Sequence, residues 1–146
     1  MQLTMTTDYA IRCLLYLSQH DGISTSQNVR AYAAISSDEH TRKILRQLKY
    51  GGLVRSDKGA NGGYALTRPI SKITFLDVIR CTEDSVKVNR CLEDPNGAEG
   101  RKDESLAMYH FYAQTQEMLE NYFGNTTLQD IVDGTVSVPA LTGARK

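Results

Sequence analysis

No apolar run in this sequence is long enough to cross a bilayer, so a helical membrane protein is excluded. The opening Met1-Gln2-Leu3-Thr4 lacks a charged stretch followed by an apolar core. No export leader is therefore expected, and the protein is read as cytoplasmic. Cysteine is scarce and odd in number, namely Cys13, Cys81 and Cys91. That pattern argues against a secreted disulfide scaffold and leaves free thiols, metal ligands or redox sensors in a reducing compartment. Also missing are a Ser/His/Asp arrangement, paired carboxylates on one face and a phosphate loop. The cluster Gly59-Ala60-Asn61-Gly62-Gly63 lacks the Gly-Lys-Ser/Thr ending of such a loop and sits between strands rather than before a helix. Enzymatic activity is not expected, and no internal repeat is present.

The formal net charge is also zero, which taken alone argues against nucleic acid. The distribution argues the reverse. Residues 28–72 hold nine Lys/Arg against three Asp/Glu, whereas residues 73–146 hold seven against twelve. A basic segment beside an acidic one suits a module that turns one side toward phosphate. With 40% hydrophobic and 23% charged residues, the 146-residue chain reads as globular, one domain or one small domain with an appendage.

Residues 6–19 predict a helix whose apolar face is Ala10, Ile11, Leu14, Leu15 and Leu17, capped by Thr6 or Thr7. Ser24-Thr25-Ser26 can open a short second helix reaching about Ala34. Ser36 with Glu39 spells a capping box for a third helix to about Tyr50. Its inner face is Thr41, Ile44, Leu45 and Leu48, and its outer face Arg42, Lys43, Arg46 and Lys49. Leu53–Ser56 and Tyr64–Thr67 flank the glycine cluster as a β-hairpin. Two short helices, a basic helix and a hairpin in that order predict a winged helix-turn-helix. Thr74 with Asp77 caps a helix from Phe75 to about Cys81. The acidic stretch 82–104 reads as a mobile or ligand-dependent loop. A long helix follows over 105–123, with Ser105, Met108, Tyr112, Thr115, Leu119 and Tyr122 as a seam for helix packing. Thr126 with Gln129 caps Leu128–Val132. The fold class is thus mainly α with a small β wing (α+β). Residues 1–72 form the DNA-binding unit, 73–134 the sensor loop and dimerisation helices, and 135–146 a flexible tail.

Base edges in the major groove are read by side chains near a helix N-terminus. Here those are Ser37, Asp38, Glu39, His40 and Lys43. His40 and Lys43 can donate to purine acceptors, and Glu39 can cap the helix or accept from cytosine. Arg42, Arg46 and Lys49 suit phosphate, which positions without specifying. The hairpin adds Arg55, Lys58 and Arg68, and Gly59, Gly62 and Gly63 let backbone approach the duplex. The partner implied is double-stranded DNA. The rival reading is a winged-helix module that binds protein and not DNA, which the basic segment disfavours.

The sequence resembles the Rrf2 family of bacterial winged-helix transcription regulators. The resemblance is carried by Leu3-Thr4, Asp8-Tyr9-Ala10, Ile44-Leu45, Leu48, Gly52-Leu53-Val54, Lys58-Gly59 and Gly62-Gly63-Tyr64-Ala65-Leu66. It continues through Ile73-Thr74, Asp77-Val78-Ile79 and Thr127-Leu128, spanning about residues 1–134. It implies a homodimeric regulator whose long helix crosses to the partner subunit; a dimer reading two half-sites implies a near-palindromic operator, and a repressor is the expectation. It also implies that the third helix enters the major groove and the wing the minor groove. Members often have Tyr-Leu where this chain has His40-Thr41, which leaves the operator sequence open.

Family members with an iron–sulfur cluster typically carry three cysteines before the long helix. Here Cys91 stands at the first position, and the other two thiols are absent, with Leu106 near the third. The favoured expectation is no cofactor. A cluster held by mixed ligands (Asp8, Cys13, Cys91 and His110, with a partner's first helix near the loop) stays open. So does a redox-sensing thiol at Cys91 beside Arg90, or a small-molecule effector with Cys91 inert. Cys13 and Cys81 read as packing residues, and His20 and His110 as lone histidines. Tyr109, Phe111, Tyr112, Tyr122 and Phe123 read as dimer core rather than a ligand cage.

Overall fold

The computed structural model describes residues 1–137. Residues 138–146, most of the expected tail, lie outside the described residues. Six helices and one hairpin follow in order. They are α1 (Met5–Ser18), α2 (Ser26–Ala33), α3 (Asp38–Tyr50), β1 (Val54–Asp57), β2 (Gly63–Leu66), α4 (Phe75–Thr82), α5 (Asp103–Gly124) and α6 (Leu128–Asp133). Single 3₁₀ turns stand at Ile70–Lys72 and Arg90–Leu92.

α1 and α3 bury the stripes their spacing prescribes. On α3, Thr41, Ile44, Leu45 and Leu48 are buried, a three- and four-residue rhythm that keeps one face inward. Ile44, Leu45 and Leu48 join Ala10, Cys13, Leu14 and Leu17 of α1 and Val29 and Ala33 of α2 in one core cluster. Ile73, Val78 and Leu128 belong to the same cluster, so the core is continuous across residue 72. A bridge between Thr74 and Thr127 ties α4's entry to α6's.

Side-chain caps start α2, α3, α4 and α6, and two of them differ from expectation by one residue. Ser37, not Ser36, caps α3 by accepting from the His40 amide at 3.1 Å, and Glu39 makes no box. Thr127 with Asp130, not Thr126 with Gln129, forms the box on α6. The Thr74–Asp77 box on α4 is as expected. Neither Thr6 nor Thr7 caps α1. Its start is served from far along the chain, where Glu83 Oε1 accepts from the Thr4 amide at 2.8 Å and the Thr4 hydroxyl at 3.0 Å, and also from the Thr7 hydroxyl. Burial alone would raise the Glu83 carboxyl, but these donors outweigh it and hold it below its usual range.

β1 and β2 pair antiparallel, from Val54 with Leu66 to Asp57 with Gly63. The hairpin lies against the loop before α2 through the Ser24–Tyr64 bridge. That approach requires Gly63, where a Cβ would stand 2.3 Å from the Ser24 carbonyl oxygen. Gly63→Ala is therefore expected to destabilise the protein by about 1–3 kcal/mol, as overpacking does. Chemical denaturation of the variant checks this, and an unchanged midpoint would contradict the close approach.

Candidate nucleic-acid interface

The helix-turn-helix is fixed by its own backbone and one arginine. α2 stops at Ala34, which takes a left-handed conformation at φ +56°. Arg30 then stitches the turn. It donates to the Ile35 carbonyl at 3.1 Å and the Ser36 carbonyl at 2.8 Å, and pairs with Asp38 at 3.0 Å. Arg30 and Asp38, two charges of the basic segment, are thus consumed in holding α3 against α2.

With the turn fixed, α3 presents its outer face. Arg42, Lys43, Arg46 and Lys49 are exposed and make no ion pair among the described residues. Ser37, Glu39, His40, Arg42, Lys43 and Arg46 border one shallow concavity. Sequence spacing therefore placed these residues on one face. Tyr50 was not legible. It ends α3 four residues after Arg46 and is 82% exposed, and its only sequence signal is that spacing.

The wing divides its predicted residues. Lys58 and Gly59 stand exposed at its turn. Arg55 pairs with Asp57 on the same strand at 3.0 Å. Arg68 donates to the Lys72 carbonyl at 2.8 Å and pairs with Asp77 at 3.1 Å, pinning the wing to α4. Burial alone would raise the Asp77 carboxyl, but the Thr74 amide and hydroxyl and the Arg68 guanidinium outweigh it and lower it. Gly62 and Gly63 have internal reasons to be glycine, since a Cβ at Gly62 would stand 2.4 Å from the Asp57 carbonyl oxygen.

The suggested metal donors do not converge. Cys13 is fully buried, and burial pushes its thiol up to about 12. Asp8 and His110 are exposed, and Cys91 is half-buried in the loop before α5. Among the described residues no group of three His, Cys, Asp or Glu could hold a metal ion. Asp8, Cys13, Cys91 and His110 thus do not fit a cluster within one chain. Cys81 Sγ donates to the Asp77 carbonyl at 3.2 Å, and burial raises its thiol.

The segment between α4 and α5 is built rather than bare. Gln116, the one buried residue of α5, accepts from the Val88 amide at 2.8 Å and donates to the Val86 carbonyl at 2.9 Å. Its amide also donates to Glu120 at 2.7 Å, which with Lys87 holds that carboxyl below its usual range. The Met1 amine donates to the Lys87 carbonyl at 2.5 Å. Gln116 and Phe123, whose ring meets Phe75 at 5.0 Å, take the inward side of α5. The outward apolar line is therefore Met108, Phe111 and Met118, each about half exposed, rotated from the predicted seam. Ile131 and Val132 of α6 are also exposed. Among the described residues no helix is long and apolar enough to cross a membrane.

Residues 3–134 match the model of the Rrf2 family, described as iron-dependent transcriptional regulator. The chain is 41% identical over 95 residues to the protein aau3 of Rhizobium meliloti, covering 64% of this chain and 60% of that protein. It thus spans under two thirds of aau3. It is 33% identical over 144 residues to the HTH-type transcriptional regulator NsrR of Shouchella clausii, covering 90% of this chain and 89% of that protein. The fold is similar to that of CymR, the global cysteine regulator of B. subtilis. That match has a TM-score of 0.69 and 22% identity, over 92% of this chain and 98% of that chain.

Proposed function

Because the chain belongs to the Rrf2 family and is a DNA-binding transcription regulator, we propose that it acts as a homodimeric repressor on a near-palindromic operator. Residues 1–72 are the reading unit and residues 73–134 the signal-receiving and dimerisation unit, a functional division drawn across one continuous core. α3 enters the major groove, with Ser37, Glu39, His40 and Lys43 toward base edges. Arg42, Arg46, Lys49 and Tyr50 face the phosphates. The wing follows the minor groove, led by Lys58 and Gly59.

The observation that carries this reading is the outer face of α3, four cations with no carboxylate partner among the described residues. Such a face attracts polyanion and displaces its counterions. The apolar line on α5 supports the dimer, since a regular exposed stripe suits a second copy of itself. The signal, a redox event or a small molecule, is received by residues 83–102 around Cys91. What supports this is the segment's wiring. Glu83 reaches the start of α1, Lys87 accepts from the Met1 amine, and Val86 and Val88 are held by Gln116 of α5. No step is routed through a metal cluster.

Footprinting of the full chain on duplexes enriched from a randomised pool tests the reading. Two protected half-sites about 10 base pairs, or a multiple of that, apart are expected for a two-fold dimer. A single unpaired half-site would contradict it.

A further inference from the structure

The surface around α3 extends onto α1. The rings of Tyr9 and His40 meet with centroids 5.6 Å apart and planes at 90°. The Arg12 guanidinium lies 5.6 Å from the same Tyr9 ring and donates to the Ala33 carbonyl, the last residue of α2, at 3.3 Å. Tyr9 is half-buried and packed against the core, so its ring is held by close packing. His40 is the third residue of α3 and borders the concavity with Glu39 and Lys43. A neutral imidazole has one donor nitrogen and one acceptor nitrogen. Which of them meets a base edge depends on the ring's orientation, so whatever holds the ring limits what can be read.

We infer that Tyr9 is a specificity-determining positioning residue, fixing the His40 imidazole for base reading while Arg12 holds Tyr9 in place. The inference rests on the reading of α3 as the groove helix. Perpendicular aromatic pairs and cations near an aromatic ring are both attractive arrangements. Together they link α1 to the first turn of α3. Tyr9 touches no base and acts through His40.

The test uses the full chain, the duplex it enriches from a randomised pool, and a scrambled duplex of equal length. Tyr9→Leu keeps apolar bulk and loses the ring. It is expected to lower the ratio of specific to non-specific affinity by about fivefold to tenfold, with the salt slope unchanged. Tyr9→Phe keeps the ring and the ratio. In a His40→Ala background, Tyr9→Leu has no further effect on the ratio. Arg12→Gln, at an exposed position, carries the same cycle with a loss of about twofold, so the test survives a misfolded Tyr9→Leu. A wild-type ratio in Tyr9→Leu, or losses that add fully to those of His40→Ala, would overturn the role of Tyr9 and leave α3 as the reader. Failure of the wild-type chain to enrich any duplex would overturn both.

Discussion

Phe111→Glu is expected to leave the fold intact, convert the protein to a monomer and lower operator affinity by about a hundredfold or more. Phe111 is 58% exposed at the middle of the outward line of α5, between Met108 and Met118. Its replacement removes nothing from the chain's own core, so the monomer stays folded. In the proposed dimer the same position lies at the shared apolar surface, where an unpaired carboxylate is costly. With the dimer gone, each half-site is bound alone and the gain from joining two reading heads is lost. Sedimentation analysis measures the assembly, and titration of the enriched duplex measures the affinity. An unchanged dimer would move the interface elsewhere on the molecule.

The second large effect separates two neighbours on α3. Lys43→Ala is expected to weaken the specific duplex by about 1–3 kcal/mol, with a much smaller effect on random duplex. Arg46→Ala is expected to weaken specific and random duplexes about equally, and to reduce the salt slope by about one per protomer. The difference follows from position. Both border the concavity, but Lys43 lies nearer the helix start and Arg46 about one turn further along. Gel-shift titrations against both duplexes check the pair. Unchanged affinities in both variants would remove α3 from the interface.

The elements that could be read from the sequence are those whose cause is local. The inner and outer faces of α3, the Thr74–Asp77 box and the glycine turn each follow from residues a few positions apart, and each is found where expected. Contacts between distant residues were not legible. Glu83 serves the start of α1 across 79 positions, and no spacing rule links them. The rotated line on α5 has the same origin. Gln116 and Phe123 turn inward because Val86, Val88 and Phe75 await them, and a heptad count cannot see those partners.

The candidate interface divides the same way. Periodicity placed Arg42, Lys43, Arg46 and Lys49 together. It could not tell that Arg30 and Arg68 are consumed in stitching the fold, or that Gly62 and Gly63 are demanded by the hairpin's own packing. Nor could it bring Tyr9 of α1 beside His40, with Arg12 near the Tyr9 ring. The donors Asp8, Cys13, Cys91 and His110 were suggested by residue type and by the family resemblance, with a partner's first helix near the loop. The fold buries Cys13 and leaves Asp8 and His110 on the surface.

The measurement that bears most directly on the central claim is the salt dependence of binding of the full chain to its enriched duplex. Under the proposed binding mode four cations per protomer, Arg42, Arg46, Lys49 and Lys58, face phosphate, which makes eight contacts for a dimer. The logarithm of the binding constant is then expected to fall linearly with the logarithm of salt concentration, with a slope of roughly −7. A slope near zero would contradict the account, because a basic face that displaces no counterions is not bound to DNA.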